Sequence, residues 1–483
     1  MRHSESARAP NPTGSGLVLT VLASGQFLMT LDSSVMNVSM ASVADDLGTP
    51  ITGIQTAITL YTLVMASMMI TGGRIGAMLG RRRAFRLGLI VYGIGSFTTA
   101  VAPNLAVLLL GWSFFEGLGA VLIMPAIVAL VSANIVPERR TAAYGLIAAA
   151  GAAAVAVGPL IGGAVTTYAS WRYVFLGEVV VVIAILLTLR RIADAPPVPG
   201  HLDIPGAALS ALGLGLAVTG VLRSSEWGWI APRPDGPRLL GLSPVIWLIL
   251  AGIVVLYGFL RWQLYLVRTG GLPLVDPGLR SNRQLRGGLG MFFAQFLIQG
   301  AVFFTVPLFL SVLLGLSALE TGLRILPLSA ALVLTAIGIP KLAPRAGPRR
   351  VVRLGLLSMI VGILLLTAGM DPSANAGVVT VPMLFLGLGL GALSSQLGAV
   401  TLAALPDSRS DEVGGLQNTA TSLGTCLGTA LIGSVLLAAL NSSDSPLLAL
   451  RVSFAVTALF ALSALFGTER IPRAIGPPSA DSG

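Results

Sequence analysis

The feature that most limits what this chain can become is a series of fourteen apolar stretches. Each is about 20 residues long, the first at 17–40 and the last at 449–467. A helix rises about 1.5 Å per residue, so a stretch of that length spans the roughly 30 Å hydrocarbon core of a bilayer. A lone segment inside lipid must satisfy its own backbone hydrogen bonds, which leaves the helix as its only regular form. The expected fold class is therefore an all-α polytopic membrane protein. Charge agrees: 10% of residues are charged, against roughly 25% in a soluble chain.

Two of the connections between these stretches are copies of one another. Between the second and third stretches the chain reads GGRIGAMLGRRRAFR, from Gly72 to Arg86. Between the tenth and eleventh, Lys341 matches Arg74, Gly347 matches Gly80, and Arg349-Arg350 match Arg82-Arg83. Arg353-Leu354-Gly355 then matches Arg86-Leu87-Gly88. A glycine-rich turn is expected at each copy, with cations that resist crossing the bilayer. Repetition of one hairpin far along an apolar chain indicates a duplicated architecture.

Basic residues fall on alternate connections. The turns at Asp45-Asp46, Pro103-Asn104, Gly315-Leu316, Asp371-Pro372 and Asn441–Asp444 carry none. The exceptions on that side are Arg172, Arg223, Arg233, Arg238, Arg324 and Arg451. By the positive-inside rule both termini are expected in the cytoplasm, with the protein in the cell membrane. The net charge of +10 is then topological, and no nucleic-acid partner is expected.

The matching hairpins divide the chain into an expected tail at 1–16, a six-helix bundle at 17–192, a linker with two extra helices at 193–287, a second six-helix bundle at 288–468 and a tail at 469–483. Among the short motifs, Leu31-Asp32-Ser33-Ser34-Val35-Met36-Asn37-Val38 lies in the first stretch and Gly73–Arg83 in the first repeated turn. The fifth stretch has Gly158-Pro159-Leu160-Ile161-Gly162-Gly163, Trp171-Arg172-Tyr173-Val174-Phe175 opens the sixth, and Gly414-Gly415-Leu416-Gln417-Asn418-Thr419 lies in the thirteenth. In this order and spacing they resemble the major facilitator superfamily, in particular its fourteen-helix drug:proton antiporter branch, over nearly the whole chain.

The resemblance implies a major facilitator fold of two six-helix bundles plus two linker helices. It implies multidrug efflux with proton influx, small-molecule substrates and antibiotic resistance. It also implies a conformational motif at Gly73, Arg74, Gly80, Arg81, Arg82 and Arg83. Gly158, Pro159, Gly162 and Gly163 would lie where the two halves rock against each other, although ordinary close packing predicts the same stripe of small residues. The sequence departs from the family pattern at Ala77 and Met78, where a charged pair is usual. It departs again at Ser113, where an arginine associated with proton coupling is usual, at Glu116 in place of glutamine, and at Glu178 in place of asparagine.

Asp32, Glu116 and Glu178 are acids within apolar stretches. A charged residue at the bilayer centre costs about 2.5–3.5 kcal/mol on insertion scales, so such groups normally face a cavity or a partner. Each is a candidate for proton coupling or substrate binding. Helix arithmetic places Asp32 in the outer half of the bilayer, Glu116 near mid-depth and Glu178 closer to a hydrated interface. Trp112, Gln295, Gln299, Gln396, Gln417 and Asn418 are candidate cavity residues, with interhelical bonding the other use for the amides. A phosphate-cradling GxxxxGK[ST] run is missing, His3 and His201 lie in polar segments, and Cys426 is the single cysteine. No metal, cofactor or catalytic residue is therefore expected, and the protein is not read as an enzyme.

The expected function is export of amphipathic, cationic small molecules by alternating access, by a monomer in the lipid bilayer. An uncoupled facilitator, a single-metabolite exporter or a non-transporting sensor are the alternatives.

Overall fold

The computed structural model describes residues 12–194, 201–233, 236–271, 273–275, 277–343, 345–370, 376–404, 410–442 and 445–473. The tails at 1–11 and 474–483 and the turn at Asp371-Pro372 lie outside them.

Helices account for every regular element among these residues, apart from one isolated bridge between Leu239 and Leu242. They are α1 (Pro12–Asp46), α2 (Ile51–Leu79), α3 (Arg81–Ala100), α4, α5 (Pro137–Tyr168) and α6 (Arg172–Thr188). There follow α7 (Ile204–Trp227), α8 (Pro244–Arg268), α9 (Arg283–Leu308), α10 (Ala318–Leu342), α11 (Pro348–Gly369), α12 (Thr380–Leu402), α13 (Ser410–Ser442) and α14 (Pro446–Gly467). Helix α4 starts at Leu105–Leu108, widens into a π-helical segment at Leu109–Glu116 and continues as Gly117–Asn134. Thirteen of the described helices are long and apolar enough to cross a membrane. The other, α3, has the length, at 20 residues, but arginines at 81, 82, 83 and 86 dilute its apolar character.

The repeated turn is tighter than the expected stretch from Gly72 to Arg86. Helix α2 runs to Leu79 and α3 starts at Arg81, so Gly80 alone breaks the helix. Its φ of +93° is left-handed backbone that glycine adopts without a steric clash. The Asp194 side chain caps the new helix, accepting from Arg82 N at 2.8 Å.

α1 to α6 pack on one another, and α9 to α14 do likewise, while α7 lies against α2 and α13 and α8 packs on α7. One apolar core continues from Met36, Ile58 and Tyr61 into Phe303, Phe304 and Leu386. A second, including Phe85, Tyr92, Ile127 and Ile185, lies within the first six helices. Lipid tails are as apolar as these side chains, so close packing and interhelical hydrogen bonds hold the helices together.

The two sets of helices meet at the end of the bundle that carries Asp46. There α5 packs on α10: Ser329 Oγ donates to the Val155 carbonyl at 3.0 Å, and Leu319 N donates to Thr167 Oγ1 at 3.0 Å. On the other side α2 packs on α13, with Gln55 Nε2 donating to the Thr429 carbonyl at 3.3 Å.

One expectation is corrected here. Gly158 and Gly162 do not meet the opposite set of helices. They pack on Ser34 and Val35 of α1, and Gly151 faces Gln26 of the same helix. The face that reaches α10 carries Val155, Pro159, Gly163 and Thr167. At 100° per residue, positions 158 and 159 point in different directions.

Candidate functional site

Glycine brings the acidic residues together. A Cβ at Gly95 of α3 would come within 2.7 Å of Glu116 N and of the Gly111 carbonyl, and one at Gly111 within 2.8 Å of Thr99 N. These two glycines let α3 and α4 touch backbone to backbone. The wide π turn of α4 carries Trp112, Ser113 and Glu116 inward together, and all three are buried. Such turns recur at functional sites.

One carboxylate oxygen from each of Asp32, Glu116 and Glu178 lies within 4.8 Å of the others. The three residues come from α1, α4 and α6, and none is more than 2% exposed. Glu178 is therefore deep in the bundle rather than near a hydrated interface, because α6 packs it between Tyr92 and Ser96 of α3. Both hydroxyls donate to Glu178 Oε2 at 2.9 Å. Thr99 Oγ1 donates to Glu116 Oε1 at 3.1 Å. Trp112 Nε1 donates to Asp32 Oδ1 at 2.7 Å. The second oxygen of each carboxylate has no hydrogen-bond partner among the described residues. Nor is any of the three paired with a described arginine, lysine or histidine. Ser113, at the arginine position of the resemblance, donates instead to the Ala57 carbonyl at 2.8 Å.

Beside the cluster lies a cavity of about 190 Å³ between the two sets of helices, lined by both polar and apolar side chains. Its lining includes Ser33, Asn37, Tyr61, Gln299, Asn418 and Thr425. Gln299 and Asn418 are thus where cavity residues were expected, and four other candidates are elsewhere. Trp112 is 1% exposed, behind Tyr61. Gln295 faces α12, donating to Ser394 Oγ at 2.8 Å. Gln396 bonds its neighbour Ser395 and Gln417 bonds Thr401. Gln295 and Gln417 thus tie α9 and α13 to α12, as hydrogen-bonding groups in lipid-embedded bundles commonly do.

In the repeated turn, Arg81 Nη1 donates to the Gly73 carbonyl at 3.1 Å and Arg82 Nη1 to the Ile192 carbonyl at 2.8 Å.

The model of the Major Facilitator Superfamily matches residues 22–429. The chain belongs to that superfamily. It is 29% identical over 431 residues to the puromycin resistance protein of Streptomyces alboniger, covering 86% of this chain and 81% of the relative. To the methylenomycin A resistance protein of Bacillus subtilis it is 28% identical, covering 90% and 91%. To the multidrug efflux pump LfrA of Mycolicibacterium smegmatis it is 27% identical, covering 89% and 83%. Among solved structures, an auto-inhibited peptide transporter of the POT family shares the fold, with a TM-score of 0.66 at 15% identity over 98% of this chain and 99% of that one. The human organic anion transporter MFSD10 shares it at 0.60 and 16%, over 95% and 100%.

A Major Facilitator protein is a membrane transporter and not an enzyme, and the three relatives just named are efflux and resistance proteins. Several parts of this transporter's site carry no motif in the sequence. Tyr61, Tyr92, Ser96 and Thr99 bind or adjoin the acids. Ser96 and Thr99 are three apart, so they share a helix face, and that spacing is the one signal that points to them.

Proposed function

We propose that this Major Facilitator protein exports amphipathic, cationic small molecules in exchange for protons, by alternating access. The observation that carries the reading is the buried group of Asp32, Glu116 and Glu178, without a basic partner among the described residues, beside a cavity between the two sets of helices. Three acids so close and so dry cannot all be charged at once. They therefore hold protons in some proportion, and a cation arriving in the cavity changes the proportion. A proton suits them better than Ca²⁺. One free oxygen per residue falls well short of the six to eight that Ca²⁺ takes.

Residues 17–192 and 288–468 act as the two moving units, and the α7–α8 pair follows α2 and α13. With both termini in the cytoplasm and a monomer in the cell membrane, the sealed Asp46 end is the outer one. The cavity is below the roughly 300–1,000 Å³ of ordinary ligand sites, so binding requires the halves to part at the Arg81 end. The resistance and efflux names of the relatives support drugs or antibiotics as cargo. Ser113, in place of the coupling arginine, favours a second reading, an uncoupled facilitator.

Reconstituted vesicles with an imposed pH gradient separate the two. Accumulation of a lipophilic cation against its own gradient, only when the pH gradient is present, is the expected result. Equilibration without accumulation would establish the facilitator.

A further inference from the structure

Between the acids and the cavity stands a pair of stacked rings. Trp112 donates its indole N–H to Asp32 Oδ1 at 2.7 Å. The same indole lies flat on Tyr61, with centroids 5.0 Å apart and planes 3° from parallel. Trp112 is sealed from the cavity, whereas Tyr61 lines it. Whatever fills the cavity meets Tyr61, and Tyr61 meets the indole.

We infer that Trp112 is a positioning residue that makes Asp32 respond to the contents of the cavity. The inference rests on the reading of Asp32 as a site of proton exchange. A ligand of ordinary size exceeds the present cavity and must displace its lining. Stacked rings in a packed interior move together. A displacement of about 1 Å takes a 2.7 Å hydrogen bond beyond the length at which it counts as one. An N–H donated to a carboxylate favours its ionised form over its protonated form, so the position of the ring sets how readily Asp32 exchanges its proton. The ionisable groups that face Asp32 are Tyr61 from α2, Tyr92 from α3, Glu116 from α4 and Glu178 from α6. Of these four, Tyr61 alone lines the cavity, and it is the ring stacked on Trp112.

The test is infrared titration of the carboxyl groups in purified full-length protein, with the Asp32 band identified by its loss in Asp32→Asn. Trp112→Phe retains a ring but has no donor, and should displace the Asp32 midpoint by about one pH unit or more. A fixed occupant is supplied by Ile58→Cys in a Cys426→Ala background, labelled with a trimethylammonium methanethiosulfonate. Ile58 lines the cavity one turn from Tyr61. The attached cation should displace the midpoint when Trp112 is present, and much less with Trp112→Phe. Tyr61→Leu keeps the N–H but removes the lever, and should also make Asp32 insensitive to the label. An occupant effect of equal size with and without the indole N–H, or with Tyr61→Leu, would overturn the relay while leaving proton exchange at Asp32 intact. If Asp32 does not titrate anywhere between about pH 4 and 10, the exchange reading fails and the relay fails with it.

Discussion

Arg82 and Arg349 make the same bond in the two halves of the molecule. Each guanidinium donates to the carbonyl of an isoleucine just beyond the last helix of its half, Ile192 at 2.8 Å and Ile471 at 2.7 Å. Arg172 and Arg451 repeat the relationship at the other end, reaching the carbonyls of Ala102 and Met370 at 2.7 Å each. Those carbonyls follow the ends of α3 and α11, where backbone acceptors lack helical partners. The sequence repeat is thus also a repeat of contacts. Two of the six arginines on the wrong side for topology have a structural use there.

Arg82→Ala and Arg349→Ala should each lower stability. A hydrogen bond from a charged group contributes about 1.5–3 kcal/mol, and the two sites are far apart, so the double variant should lose the sum. Thermal unfolding in detergent checks this. A double variant no worse than either single one would mean that the two latches are one cooperative unit.

Asp32→Asn should abolish accumulation driven by a pH gradient while leaving the protein folded in the membrane. Asparagine preserves an acceptor for the Trp112 N–H but has no proton to exchange. The comparison is uphill uptake against membrane abundance. Uptake equal to that of the parent protein would remove Asp32 from the exchange.

Gly158→Leu and Gly163→Leu, five residues apart, should fail differently. At Gly158 a Cβ would lie 2.5 Å from Ser34 Oγ, inside the first six helices. Overpacking of that kind costs about 1–3 kcal/mol, so unfolding should shift to lower temperature. At Gly163 the added side chain would strike the Ala318–Leu319 backbone of α10 and part the two sets of helices. A cysteine at Asn37 should then become reachable by a charged thiol reagent added from the Asp46 side. Protection of that cysteine in Gly163→Leu would show that α5 and α10 do not form the seal.

Gly111→Ala should impair transport although no acid or cavity residue is touched. Its methyl would lie within 2.8 Å of Thr99 N and Oγ1 and push α3 from α4, which separates Glu116 from its hydroxyl donor. Initial export rates at matched protein levels are the measure. Export at the parental rate would mean that the close approach of α3 and α4 is dispensable.

Much of this architecture was legible in the chain because lipid leaves so few choices. Windows of apolar residues locate helices by length alone, and α3 shows the limit, since its arginines make it a weak span that neighbouring helices nonetheless hold. The acids were conspicuous for the same reason: Asp32, Glu116 and Glu178 interrupt apolar stretches. Depth along a helix was not enough to place Glu178, whose surroundings depend on α3 rather than on its own position in α6. The amides were harder still. Gln295 and Gln299 are four apart on one helix, yet Gln295 is held by Ser394 and Gln299 faces the cavity.

The order of apolar and basic segments by itself determined that this protein is a bundle of membrane helices with a duplicated plan, because bilayer thickness and the cost of moving charge act on each segment separately. Only the tertiary structure decided that three acids from three helices share one dry pocket, that the Gly158 stripe serves α1 instead of α10, and that Trp112 turns toward Asp32. Those outcomes depend on which faces meet when helices pack, and a rotation of 100° per residue makes neighbours in sequence into partners of different helices.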